Sequence, residues 1–108
     1  MAGRQATYPP VVVALPAEID LINREQAYDR LYAAFISGTA VVIADFTNTT
    51  FCDCGSLRRL LTIQHRVAGH GVQLRLAIPC GSPVRRVADL LGLSSQLLIY
   101  PGTGEAAA

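Results

Sequence analysis

Two kinds of hydrophobic spacing alternate along the chain. Val11-Val12-Val13-Ala14-Leu15 and Ala40-Val41-Val42-Ile43-Ala44 are wholly apolar runs rich in β-branched residues, which suits buried strands. Val72 to Ile78 alternates at first and reads as a third strand, and Leu97-Leu98-Ile99-Tyr100 as a last one. Between them the apolar residues fall at helical spacing. Ala27, Leu31, Ala34 and Phe35 lie on one face of a first helix. Leu57, Leu60, Leu61, Val67 and Ala68 define a second, and Val84, Val87, Ala88 and Leu91 a third. Tyr28 and Tyr32, at i and i+4, read as a half-buried stripe.

The boundaries carry their own signals. Asn23 is the expected cap of the first helix, with Gln26 able to reach back. Ser82-Pro83 starts the third, with serine as cap and proline at the first helical position. Gly38, Gly69 and Gly92 are the expected stops. Strand and helix therefore alternate, which predicts an α/β sandwich with crossover connections. Three helices for four or five strands give a mixed, mostly parallel sheet with helices mainly on one face. Residues 10–100 form the folded domain in this reading. Residues 1–9 are expected as a flexible N-terminus and residues 101–108 as a flexible tail.

Composition narrows the function classes. The 108 residues are 51% hydrophobic and 16% charged, with a formal charge of +1. That is one domain with a real core, and a poor match for a nucleic-acid binder that neutralises phosphates. Every basic residue is arginine. Without lysine there is no Schiff base, P-loop or phospho-receiver chemistry. No apolar run reaches the roughly 20 residues of a membrane helix, and Val11–Leu15 is too short for a signal-peptide core. A cytoplasmic protein with no membrane insertion is expected.

Function in such sheets gathers beyond the carboxyl ends of the strands. Residues 45–56 and Pro79-Cys80-Gly81-Ser82 lie there. Cys52, Cys54 and Cys80 raise a thiol-based redox sensor or a metal site with His65 or His70. The C-x-C spacing differs from the C-x-x-C of redox and zinc sites, so the leading reading is small buried hydrophobes. No metal and no cofactor are expected, and no small-molecule substrate is evident.

Four stretches resemble the STAS domain, the fold of bacterial anti-sigma factor antagonists. Ala17-Glu18-Ile19-Asp20 is similar to the family's G-E-L-D segment. Val41 to Asp45 resembles its central strand ending in Asp. Phe51-Cys52-Asp53-Cys54-Gly55-Ser56-Leu57-Arg58 resembles its F-x-D-S-S-G-L-R signature. Pro79 to Leu93 resembles the last helix. The resemblance implies a binding module rather than an enzyme. Its partner would be an anti-sigma factor that is also a serine kinase, in a switch controlling sigma-factor-dependent transcription. Phosphorylation of the second serine would release the partner, by adding about −1.5 to −2 charges to a docking surface.

The resemblance places partner contacts at Asp20, Asp53, Cys54, Gly55, Ser56, Arg58 and Arg59. It also exposes a departure. Cys54 stands at the first serine and Gly55, which has no hydroxyl, at the acceptor. Ser56 occupies the family's glycine, one residue late, or about 100° around a helix. Ser56 is the remaining phosphorylation candidate, and it also reads as a helix cap. A second system with the same fold is an accessory subunit of a lipid-transport ABC complex.

Overall fold

Residues 8–108 are described by a computed structural model. Strands β1 (Val11–Ala14), β3 (Val41–Asp45), β5 (Gln73–Ala77) and β6 (Leu98–Tyr100) form one sheet in the order β1-β3-β5-β6. All three pairings are parallel, with Val12 opposite Ile43, Ile43 opposite Arg75 and Leu76 opposite Ile99. Strands β2 (Glu18–Ile19) and β4 (Phe51–Cys52) make a separate parallel pair. Neither segment reads as a strand in the sequence. Two residues carry no periodicity, so only the pairing reveals them.

Helices α1 (Arg24–Phe35), α2 (Cys54–Ala68) and α3 (Pro83–Leu90) are the crossovers. They bury Leu31, Leu57, Leu60, Ile63, Val84 and Ala88 against Val13, Val42, Ala44, Leu74 and Leu76. Alternation along each strand assigns these sheet residues to one face. The expectation of helices mainly on one face therefore holds.

The other face is covered at its centre by the end of the chain. Residues 101–108, expected as a flexible tail, instead contain helix α4 (Thr103–Ala107). Ala106 is wholly buried against Ile43 and Ala77, with Val41 and Tyr100 packed beside them. Arg75 Nη1 donates to the Ala106 carbonyl at 2.6 Å and its guanidinium sits 6.0 Å from the Tyr100 ring centroid. An alanine-rich tail has little to bury by itself, but here Ala106 packs onto Ile43 and Ala77 at the centre of that face. The flexible N-terminus expected for residues 1–9 falls, up to residue 7, outside the described residues. Within them, the Pro9 carbonyl accepts from Thr39 Oγ1 at 3.2 Å.

One of the two caps expected at these helix starts differs. Asn23 stands at the start of α1 but does not cap it with its side chain. Its Oδ1 accepts from Asp20 N at 2.8 Å and its Nδ2 donates to the Glu18 carbonyl at 2.8 Å, tying the β2–α1 loop instead. Ser82 does cap α3, accepting from Arg85 N at 3.1 Å with Pro83 at the first position. Gly92 follows α3 with φ of 74°, a left-handed turn that glycine adopts without strain.

Candidate functional site

The site grows from the β2–β4 pair. Ile19 lies opposite Cys52, and Asp53 N donates to the Ile19 carbonyl at 3.1 Å. The loops that leave these two strands therefore start side by side. Upstream, the segment after β3 is pinned rather than free. Thr47 N donates to Asp45 Oδ1, Thr49 Oγ1 to the Pro16 carbonyl at 2.9 Å, and Phe46 is wholly buried.

Asp53 is the cap of α2. Its Oδ1 accepts from Ser56 N at 2.7 Å, which satisfies one of the open donors at a helix start. The reading of Ser56 as cap is thus corrected. Asp53 is extended and outside the helix, whereas Ser56 is already in its first turn with 0% exposure. Partial desolvation acts to raise the Asp53 pKa. Hydrogen bonds from the Ser56 hydroxyl and backbone, and the Arg24 guanidinium, outweigh it and hold the carboxyl below 3.8.

Arg24, the first residue of α1, crosses to this corner. Its Nε donates to Ser56 Oγ at 2.9 Å, and its Nη2 lies 3.5 Å from Asp53 Oδ1. The side chain is only 14% exposed. It reaches in because Gly55 has no side chain: a Cβ there would stand 2.8 Å from Arg24 Nη2. From below, the wholly buried Tyr28 donates its hydroxyl to the Ser56 carbonyl at 2.8 Å. Burial pushes the Tyr28 phenol well above its ordinary range, and the neighbouring Cys52 thiol up to about 12. Cys52 is therefore an inert core thiol.

Asp20 shapes the neighbouring loop. Its Oδ1 accepts from Ile22 N at 2.9 Å and Asn23 N at 3.0 Å. That turn leaves Leu21 73% and Ile22 93% exposed, and Phe51 is 51% exposed on adjoining β4. These three apolar residues were not singled out from the sequence. Their signal was an unbroken Leu-Ile pair inside a polar loop. Arg24 was missed too, since nothing local distinguishes it from other helix-start arginines.

The structure therefore brings Asp20, Asp53, Cys54, Gly55 and Ser56 into one corner. Arg58 is exposed further along α2. Arg59 Nη1 is held by Glu25 Oε2 at 2.7 Å, and this hydrogen bond, with one to Tyr32, raises the Arg59 pKa. Cys80 lies elsewhere, 3.8 Å from Arg85 Nη1, and all three cysteines are free thiols. Cys54 and Cys80 are exposed. Among the described residues no cluster of His, Cys, Asp and Glu suited to a metal ion forms, and no helix is long and apolar enough to cross a membrane.

The chain belongs to the STAS domain family, whose pattern it matches over residues 4–106. Comparison with curated proteins finds no significant match. Among solved structures it is similar to the anti-sigma factor antagonist SpoIIAA in its unphosphorylated form. That match has a TM-score of 0.69 and 22% identity over 95% of this chain and 89% of the other. It is also similar to the Bacillus cell fate determinant SpoIIAA in the phosphorylated form. There the TM-score is 0.60 and identity 21%, over 95% of this chain and 92% of the other. At such identities the likeness establishes a shared fold.

Proposed function

We propose that the protein is an anti-sigma factor antagonist, a binding module that sequesters an anti-sigma factor and so frees a sigma factor. The docking surface in this reading is the start of α2 with the loop before α1. The observation that carries it is the exposure of Leu21 and Ile22 in the loop after β2, and of Phe51 on β4, on the segments that lead into the capped Asp53. Exposed apolar side chains around a fixed polar centre are what a protein partner desolvates.

The same corner favours binding that phosphorylation does not end. Gly55 offers no hydroxyl. Ser56 has one, but it is buried and held by Arg24 and Asp53. A kinase acting there would first have to lift Arg24 away. The partner is accordingly an anti-sigma factor of the serine-kinase type that stays bound.

Co-purification with candidate anti-sigma kinases tests this, using Ile22→Glu, Asp53→Lys and Arg58→Glu. Loss of capture with Ile22→Glu or Asp53→Lys is expected, with each variant checked for folding by circular dichroism. Undiminished capture by all three would place the partner surface elsewhere. Capture of a transporter ATPase subunit and no kinase would replace the sigma-factor reading with the transport one.

A further inference from the structure

A second feature lies at the opposite end of α1 and α2. About 16 Å of helix axis separates Ser56 from Val67, at about 1.5 Å per residue. There the two helices leave a groove of about 310 Å³ between them. Its floor is Ile63 and Val67, and its walls are Tyr32, Phe35 and Ile36. The Tyr32 and Phe35 rings are tilted against each other with centroids 6.5 Å apart. Ile36 is 87% exposed, so the apolar surface continues to the rim.

The groove is closed and charged asymmetrically. Toward the start of the helices, the Arg59–Glu25 ion pair bridges α1 and α2. At the other end stand Arg66 and His70, and no acidic side chain lines the groove. Among the described residues Arg66 has no carboxylate partner. His70 Nδ1 lies 3.1 Å from the Arg66 carbonyl, which sets the ring beside Arg66.

We propose that this groove binds a single-chain amphiphile with an anionic head. The chain lies along Tyr32, Phe35 and Ile36, and the head meets Arg66 and His70. Size and charge together select this class. Small-molecule sites begin at about 300 Å³, are mostly apolar and carry a few orienting polar groups. An apolar slot ending in two basic groups without an acid between them is complementary to a tail and a carboxylate or phosphate. The inference concerns a different surface from the proposed partner site and stands or falls independently of it.

Sodium decanoate is the probe, titrated below its micelle concentration into the full chain and followed by amide NMR. Saturable binding with a dissociation constant under about 1 mM is expected, with shifts confined to residues 32–36 and 63–72. Butyrate should bind far more weakly for want of a tail, and decanol for want of a charge. Arg66→Glu should weaken binding by about tenfold or more. Ile36→Glu, at an exposed position that leaves the core intact, should do so as well. Each outcome of another kind overturns the proposal: no saturation, equal binding of decanol, indifference to both variants, or shifts centred on Leu21, Ile22 and Phe51.

Discussion

Arg24 Nε donates to Ser56 Oγ at 2.9 Å across 32 residues of sequence, joining the first turn of one helix to that of the next. The contact lies over Gly55, whose missing side chain makes room for it. In the family signature the acceptor serine falls on Gly55. At that position this chain has no hydroxyl, and the Arg24 guanidinium lies over it. Four consequences can be measured.

Arg24→Ala leaves the Ser56 hydroxyl and Asp53 without their cationic partner. Loss of a hydrogen bond to a charged group costs about 1.5–3 kcal/mol. Gly55→Ala adds a Cβ where the guanidinium lies, so it should destabilise the intact chain by expelling Arg24. In the Arg24→Ala background the same change should be neutral or stabilising, because alanine favours a helix over glycine by up to about 1 kcal/mol. Urea unfolding of the two single variants and the double variant gives the coupling directly. Additive effects would mean that Gly55 does not make room for Arg24.

Asp53 sets an acid limit. Its carboxyl is held below 3.8 in the folded state. The stability this confers is full above the ordinary value of 3.8 and is lost as pH falls through the lower folded value. The intact chain should therefore lose stability below about pH 4 more steeply than Asp53→Asn. Thermal melts from neutral pH downward test this. Parallel curves would remove Asp53 from the acid transition.

The thiols should separate by burial. Cys54 and Cys80 are exposed and Cys52 is buried. A thiol-specific disulfide reagent should modify Cys54 and Cys80 promptly and Cys52 only at the rate of unfolding. Burial raises the Cys52 pKa from 9.0 to about 12. The associated stability is complete below 9.0 and declines as pH rises toward about 12, since only the unfolded thiol ionises in that interval. Cys52→Ala should flatten that alkaline slope. Fast labelling of Cys52 in the folded protein would contradict its place in the core.

Removing residues 102–108 should destabilise the domain. It would uncover Ile43 and Ala77 and take the Ala106 carbonyl from Arg75. A loss of about 1–3 kcal/mol is expected, the scale of returning a buried aliphatic side chain such as Ile43 to water. An unchanged melting temperature would show that α4 adds nothing to the fold.

Much of this architecture is legible in the residue pattern. The run at Val41 became a central strand buried on both faces, as an apolar run of that kind should, whereas the run expected as buried at Val11 became an edge strand with Val12 45% exposed. Leu57, Leu60 and Val67 faced the core because helical spacing left them no other common side. Ser82-Pro83 capped α3 as the local chemistry required. Where the local chemistry offered two caps for α2, Asp53 and Ser56, only the chain path chose between them. Asp53 is extended as it leaves β4, so its carboxylate meets the first free amides. Ser56 is by then already turned inward.

The sequence by itself determined the order of the four sheet strands and the three crossover helices, most of the core-facing residues of those helices and the absence of a hydroxyl at Gly55. These follow from local spacing and side-chain chemistry, which act over a few residues. Tertiary structure alone decided that Arg24 covers Gly55, that Ser56 is buried, that β2 pairs with β4, and that Ala106 covers the centre of a sheet face. Each of these joins segments distant in the chain, and only the packing of the helices and sheet sets their separation.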